Sequence, residues 1–195
     1  MFAVDLDGVL ADSLTQATRL VCEALGIAPT SLAEHRAYDD LALAYPEELR
    51  EQAAALYRLV YDGNWAYQAA QPLPNARSTV TRLARMGLLS GYITRRPADS
   101  HEVSQRWLKT HGFPDAPVLT ISRKGSKGEA MVELGASVLI EDSLSEARAV
   151  RSEGFGAVLI KQPYNAEGIE LLSGSWGTWE AMFFRLELHL ASRHG

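Results

Sequence analysis

The chain has little with which to cross-link itself or hold a membrane. It contains a single cysteine, Cys22, so no internal disulfide can form and a disulfide-stapled small fold is excluded. Cys22 lies in an apolar pattern at helical spacing with no base near it in sequence, which reads as packing rather than as a nucleophile. There is no signal-like leader and no apolar run long enough to span a bilayer, so a cytoplasmic protein without membrane contact is the expectation. Dense lysine or arginine blocks are missing too, and the formal charge is −5. Binding a nucleic-acid polymer through a basic face is therefore not expected. His35, His101 and His111 lack ligand spacing, which argues against a histidine metal centre. Internal repeats and low-complexity tracts are absent.

What is present suits a soluble globular chain: 195 residues, of which 47% are hydrophobic and 22% charged. That length fits one domain, or a core domain carrying an insertion. Near the start, Phe2-Ala3-Val4 reads as a buried strand bounded by a glycine turn, and Asp5-Leu6-Asp7-Gly8 emerges at its C-terminal end. Open parallel sheets place their ligands in the crevice beyond the strand ends. The i, i+2 spacing would set Asp5 and Asp7 on one face of an extended chain, and Gly8 would let the backbone turn sharply. One carboxylate could attack while its neighbour moves a proton. A D-x-D before glycine also occurs in turns and calcium loops, so the motif needs partners elsewhere.

Residues 13–26 show helical spacing, with Asp12 or Ser13 as N-cap and Gly26 as a stop. From there to Tyr61 the pattern stays helical, with a short mixed stretch at 34–43 and a helix at 47–61 opened by Pro46. The spacing thus predicts a small helical cap over residues 13–71, inserted after the first strand, and an α/β core formed by 1–12 and 72–195. A cap at that place would exclude water and select substrates. Its polar and aromatic residues, Tyr38, Asp39, Tyr57, Tyr61, Asn64, Trp65 and Tyr67, could face a ring or could simply pack. Beyond Pro72, helices at 76–86, 99–111, 128–134 and 144–153 alternate with strands at 88–94, 117–121, 137–140 and 156–160. A terminal amphipathic helix is expected over 178–191. Such alternation implies right-handed crossovers and a doubly wound, Rossmann-like parallel sheet covered on both faces.

Four polar clusters fall at predicted strand ends: Asp5 with Asp7, Thr94, the loop 123–127 with Lys124 and Lys127, and Glu141 with Asp142. All strand ends of a parallel sheet share one edge, so these clusters should meet in one crevice. In order and spacing the chain resembles the haloacid dehalogenase-like superfamily. D-L-D-G-V-L-A-D, I-T-R-R-P, W-L-K-T-H-G-F-P, L-I-E-D-S and Q-P-Y-N look like its branch related to the 5′(3′)-deoxyribonucleotidases.

The resemblance implies a hydrolase for a small phosphorylated substrate. Asp5 would attack phosphorus, and Asp7 would protonate the leaving oxygen and then take a proton from water. A magnesium ion would be held by Asp5, the backbone carbonyl of Asp7, and Asp142. Thr94 would donate a hydrogen bond to a phosphoryl oxygen. Lys127 would supply positive charge, with Lys124 as the other choice of lysine. Glu141 stands where related nucleotidases carry an aspartate and would hold Lys127 or a metal-bound water. Arg95 and Arg96 would pair with acidic groups or touch phosphate.

Carbon–halogen enzymes of the superfamily lack the second aspartate, so Asp7 favours a phosphate ester. Nucleoside 5′-monophosphates are the expected substrates on the branch resemblance. Sugar phosphates, phosphoryl transfer to a hydroxyl, or a noncatalytic metal- or nucleotide-binding module are the alternatives. The sequence is compatible with a homodimer and does not specify one.

Overall fold

Strand β1 (Phe2–Asp5) lies in the interior of a six-stranded sheet, flanked by β2 (Leu89–Thr94) and β4 (Val138–Glu141). The structure, a computed structural model, describes residues 1–29, 38–122, 124–165, 176, 177 and 179. Beyond β2 lies β3 (Val118–Thr120), and beyond β4 lie β5 (Gly156–Ile160) and β6 (Trp176–Gly177). The order is β3-β2-β1-β4-β5-β6 and every pairing is parallel. Four of the predicted strands match these to within a residue or two, the fifth is shorter than predicted, and β6 is a sixth that the sequence pattern does not announce.

Side chains alternate between the two faces, apart from a register irregularity between β1 and β2 after Phe2. Val4, Tyr92, Ile140 and Ile160 pack on one side with α4 (Ala76–Arg85) and α5 (His101–Thr110). Ala3, Ile93, Leu139 and Leu159 pack on the other with α6 (Lys127–Leu134) and α7 (Leu144–Ser152). A sheet buried on both faces has no polar face to show, which is why its strands read as continuous apolar runs. The same parity matters at the edge. Asp5 and Glu141, each two residues beyond an Ala3-side residue, end their strands on the α6 side.

Between β1 and α4 lie α1 (Ser13–Leu25), a 3-10 stretch (Tyr38–Ala44), α2 (Arg50–Asp62) and α3 (Trp65–Ala69). Asp12 caps α1 by accepting from the Thr15 amide, and Gly26 ends it in the left-handed conformation. The expected helix from Glu47 starts as a 3-10 turn, becomes α2 at Arg50, and stops at Gly63. These elements share their own apolar cluster, including Leu14, Val21, Cys22, Tyr45, Tyr57 and Val60. Cys22 is buried there with its thiol near the Tyr45 hydroxyl, as packing requires. The first half of the mixed stretch at 34–43 and the terminal helix at 178–191 lie outside the described residues, except Trp179, which is buried against the α4 and α5 face. Among the described residues no helix is long and apolar enough to cross a membrane.

Candidate active site

β1 ends at Asp5, and the chain turns at once. The amides of Val9, Leu10 and Ala11 all point back to the Leu6 carbonyl. Asp7 therefore sits in a turn rather than on the strand, so strand periodicity does not place it beside Asp5, and the two acids have different partners. Gly8 carries a φ of +72°, and a Cβ there would overlap the Asp142 carboxylate and the Tyr164 hydroxyl. Only glycine permits both that turn and that approach.

Asp5, Glu141 and Asp142 are all buried, and one carboxylate oxygen from each lies within 4.8 Å of the others. Lys127 closes the group, its Nζ 2.7 Å from Asp5 Oδ1 and 2.6 Å from Glu141 Oε2. It is the first residue of α6, an end of the helix where a cation is disfavoured by the dipole. Two facing carboxylates offset that cost and hold the ammonium in its charged form despite burial. Glu141 also accepts the Ser143 amide at 3.0 Å. Lys124, the other lysine considered, is exposed in the turn before α6.

Three carboxylates facing one ammonium carry two excess negative charges when all are ionised. Burial, countered by Lys127 and reinforced by Glu141, pushes Asp5 up to about 8. Burial and repulsion from Glu141 and Asp5 raise Asp142 well above the usual carboxylate range. The donor set is all oxygen, hard and over-charged by the amount one divalent cation neutralises, so the residues fit such an ion. Since Lys127 and the Ser143 amide already occupy Glu141, Asp5 and Asp142 are the side chains left to hold it.

A pH dependence follows for the protein in chelator. The folded state keeps a proton on Asp5 that the unfolded chain loses near the ordinary aspartate value of 3.8. Stability is thus full below about pH 4 and falls as pH rises through about 8, with a slope on the order of 1 kcal/mol per unit. Added magnesium should flatten the slope and stabilise most at the alkaline end, which melting curves across pH with and without the ion would show.

Thr94 is buried at the end of β2, and its Oγ1 accepts the Arg96 amide at 3.2 Å, which keeps its own proton available to donate. The two arginines after it diverge. Arg95 pairs with Glu146 of α7 at 2.8 Å and reaches the Ser122 carbonyl. Arg96 is buried and grips Asp7 with two nitrogens, each 2.8 Å from a carboxylate oxygen. Its guanidinium carbon lies 4.3 Å from the centroid of the Tyr67 ring of α3.

Further contacts come from the loop after β5. Tyr164 donates a hydrogen bond to Asp142 Oδ2, Asn165 donates to the Asp142 carbonyl at 2.7 Å, and Gln162 donates to the Gly8 carbonyl at 2.6 Å. All three belong to the Q-P-Y-N motif of the resemblance, which assigned them no role; their place beyond a strand end on the shared edge was a second signal.

A cavity of about 780 Å³ opens between α2, α3 and the loops after β2 and β3, and its link to the sheet edge is Arg96, which lines it and grips Asp7. Leu41, Tyr61, Tyr67, Arg58, Asp62 and Arg96 are among its walls. Of the aromatic residues considered in this region, Tyr57 is buried with its hydroxyl bonded to Thr18 and Tyr45, and Trp65 is half exposed. The side chains of Tyr38 and Asp39 lie outside the described residues.

Comparison with known folds agrees with this architecture. A haloacid dehalogenase-like hydrolase from Streptococcus pneumoniae superposes with a TM-score of 0.60 at 17% identity, over 90% of this chain and 91% of that one. A hydrolase from Pseudomonas syringae gives 0.60 at 17% identity, over 95% and 97%. A HAD family hydrolase from Deinococcus radiodurans, determined with bound phosphate and sodium, gives 0.61 at 16%, over 91% and 89%. No curated protein matches the sequence. One family model does, the "5' nucleotidase, deoxy (Pyrimidine), cytosolic type C protein", and its match runs over residues 1–188. The chain therefore belongs to that family and is a phosphomonoester hydrolase of the haloacid dehalogenase-like superfamily.

Proposed function

We propose that the protein is a magnesium-dependent phosphatase of nucleoside 5′-monophosphates that works through an aspartyl-phosphate on Asp5. The observation that carries the reading is the buried set of Asp5, Asp142, Glu141 and Lys127 at the C-terminal edge of the sheet; Arg96 links that edge, through Asp7, to a cavity of about 780 Å³. That volume suits a nucleoside-sized leaving group and not a polymer. The family's name supports the nucleotide and, within it, deoxypyrimidine substrates.

In the first half-reaction a carboxylate oxygen of Asp5 attacks phosphorus, the ester P–O bond breaks, and Asp7 gives its proton to the departing oxygen. In the second, water attacks the same phosphorus, the bond to Asp5 breaks, and Asp7 takes the proton that water releases. Lys127 keeps positive charge against Asp5, and Thr94 offers its hydroxyl proton to a phosphoryl oxygen. Asp5, Asp142 and the backbone carbonyl of Asp7 would hold the magnesium ion. The ion supplies charge neutralisation at the phosphoryl oxygens and lets the acids stand ionised together. Glu141 holds Lys127 in place.

A panel of nucleoside monophosphates, sugar phosphates and p-nitrophenyl phosphate, assayed for phosphate release with and without magnesium, tests this. Nucleotides should be the best substrates. Preference for sugar phosphates over every nucleotide would remove the nucleotide and leave the phosphatase. Phosphate appearing on an added alcohol would show a transferase, and no turnover by folded protein would favour a noncatalytic binding module.

A further inference from the structure

Arg96 has no task in the mechanism above, yet it is among the most elaborately held side chains near the site. It is 2% exposed, and two of its nitrogens take both oxygens of Asp7. The third nitrogen reaches Ser104 Oγ at 3.2 Å, and the ring of Tyr67 covers its plane. Burying a guanidinium is costly unless a carboxylate meets it, and here the carboxylate is the proposed acid/base itself. A fork-to-fork pair fixes the plane of a carboxylate as well as its charge. The plane and position of the Asp7 carboxylate are therefore fixed by Arg96. Tyr67 belongs to α3, whereas Arg96 and Asp7 belong to loops of the sheet edge. The face of the guanidinium is thus completed by the inserted helices.

We propose that Arg96 is a positioning residue that holds Asp7 ready to take the proton of the attacking water, and that Tyr67 makes this hold depend on the cap. It rests on the reading of Asp7 as that proton's acceptor.

p-Nitrophenyl phosphate separates the halves, because nitrophenolate leaves without a proton. In Arg96→Gln the first half survives and the water step slows. Rapid mixing should therefore show a burst of nearly one nitrophenolate per site, followed by a steady rate roughly 100-fold below that of the unaltered enzyme. Arg96→Lys restores charge but not the fork and should recover only part of the rate. Tyr67→Leu should show the same burst with a steady rate roughly 3- to 10-fold lower, and it carries the test if Arg96→Gln does not fold.

Asp7→Asn is the control: a burst followed by a stall is expected. If Asp7→Asn stalls while folded Arg96→Gln turns over normally, Arg96 is only structural and the proposal falls. A Tyr67→Leu enzyme with unchanged rates and no burst overturns the dependence on the cap. If Asp7→Asn itself turns over normally, the acid/base reading falls and takes the proposal with it.

Discussion

Asp5→Asn should abolish phosphate release, with a loss on the order of 10⁵-fold or more, as removing the nucleophile of a covalent mechanism does. The substitution is close to isosteric, and the amide can present its oxygen to Lys127, 2.7 Å away in the unaltered chain. Folding should survive it. In metal-free solution above about pH 8, where Asp5 carries a charge that burial opposes, the variant should be at least as stable as the unaltered protein. Activity and stability then move in opposite directions, a result that damage to the fold does not give. The two measurements needed are single-turnover phosphate release and thermal melting on the same preparation.

Lys127→Met should do the reverse and damage both. Lys127 is the only ammonium paired with the buried acids in the described residues, and removing one partner of a buried pair leaves uncompensated charge. The expected cost is about 3–5 kcal/mol in chelator above about pH 8, where Asp5 is charged, and smaller below it. Magnesium should restore much of it, because the ion and the lysine neutralise the same carboxylates. Turnover with saturating magnesium should still fall by roughly 10²- to 10³-fold, since a fixed positive charge near the phosphoryl group is lost. Lys124→Met, at an exposed turn position, should leave stability and rate unchanged. Equal effects at the two lysines would show that the charge acts through the general field and not through the contacts at Asp5 and Glu141.

The convergence of Asp5, Lys127, Glu141 and Asp142 was legible because it follows from topology. Residues at the C-terminal ends of parallel strands must share an edge, and alternation along β1 and β4 puts Asp5 and Glu141 on the α6 side. The partners of the arginines were not legible. Arg95 and Arg96 are identical neighbours, and only the path of the chain after Thr94 sends one to Glu146 and the other to Asp7. Nor could the sequence show that Tyr67 meets Arg96, because the break at Gly63 and Asn64 resets the helical phase between α2 and α3. β6 was missed for a simpler reason: two residues are too few to show a period, and their pairing with β5 is a tertiary matter. Tyr164 and Asn165 sat in a loop whose position was readable and whose aim at Asp142 was not.

The proposed reaction turns on phosphorus becoming bonded to one particular carboxylate at the sheet edge. The direct measurement is to mix the enzyme with substrate carrying ³²P in the phosphoryl group, quench in acid within milliseconds, and map the labelled peptide. Label on Asp5, unstable to base, chased by further incubation and absent from Asp5→Asn, is the expected result. Phosphate release proceeding at full rate with no protein-bound label, or with label on another residue, would contradict it.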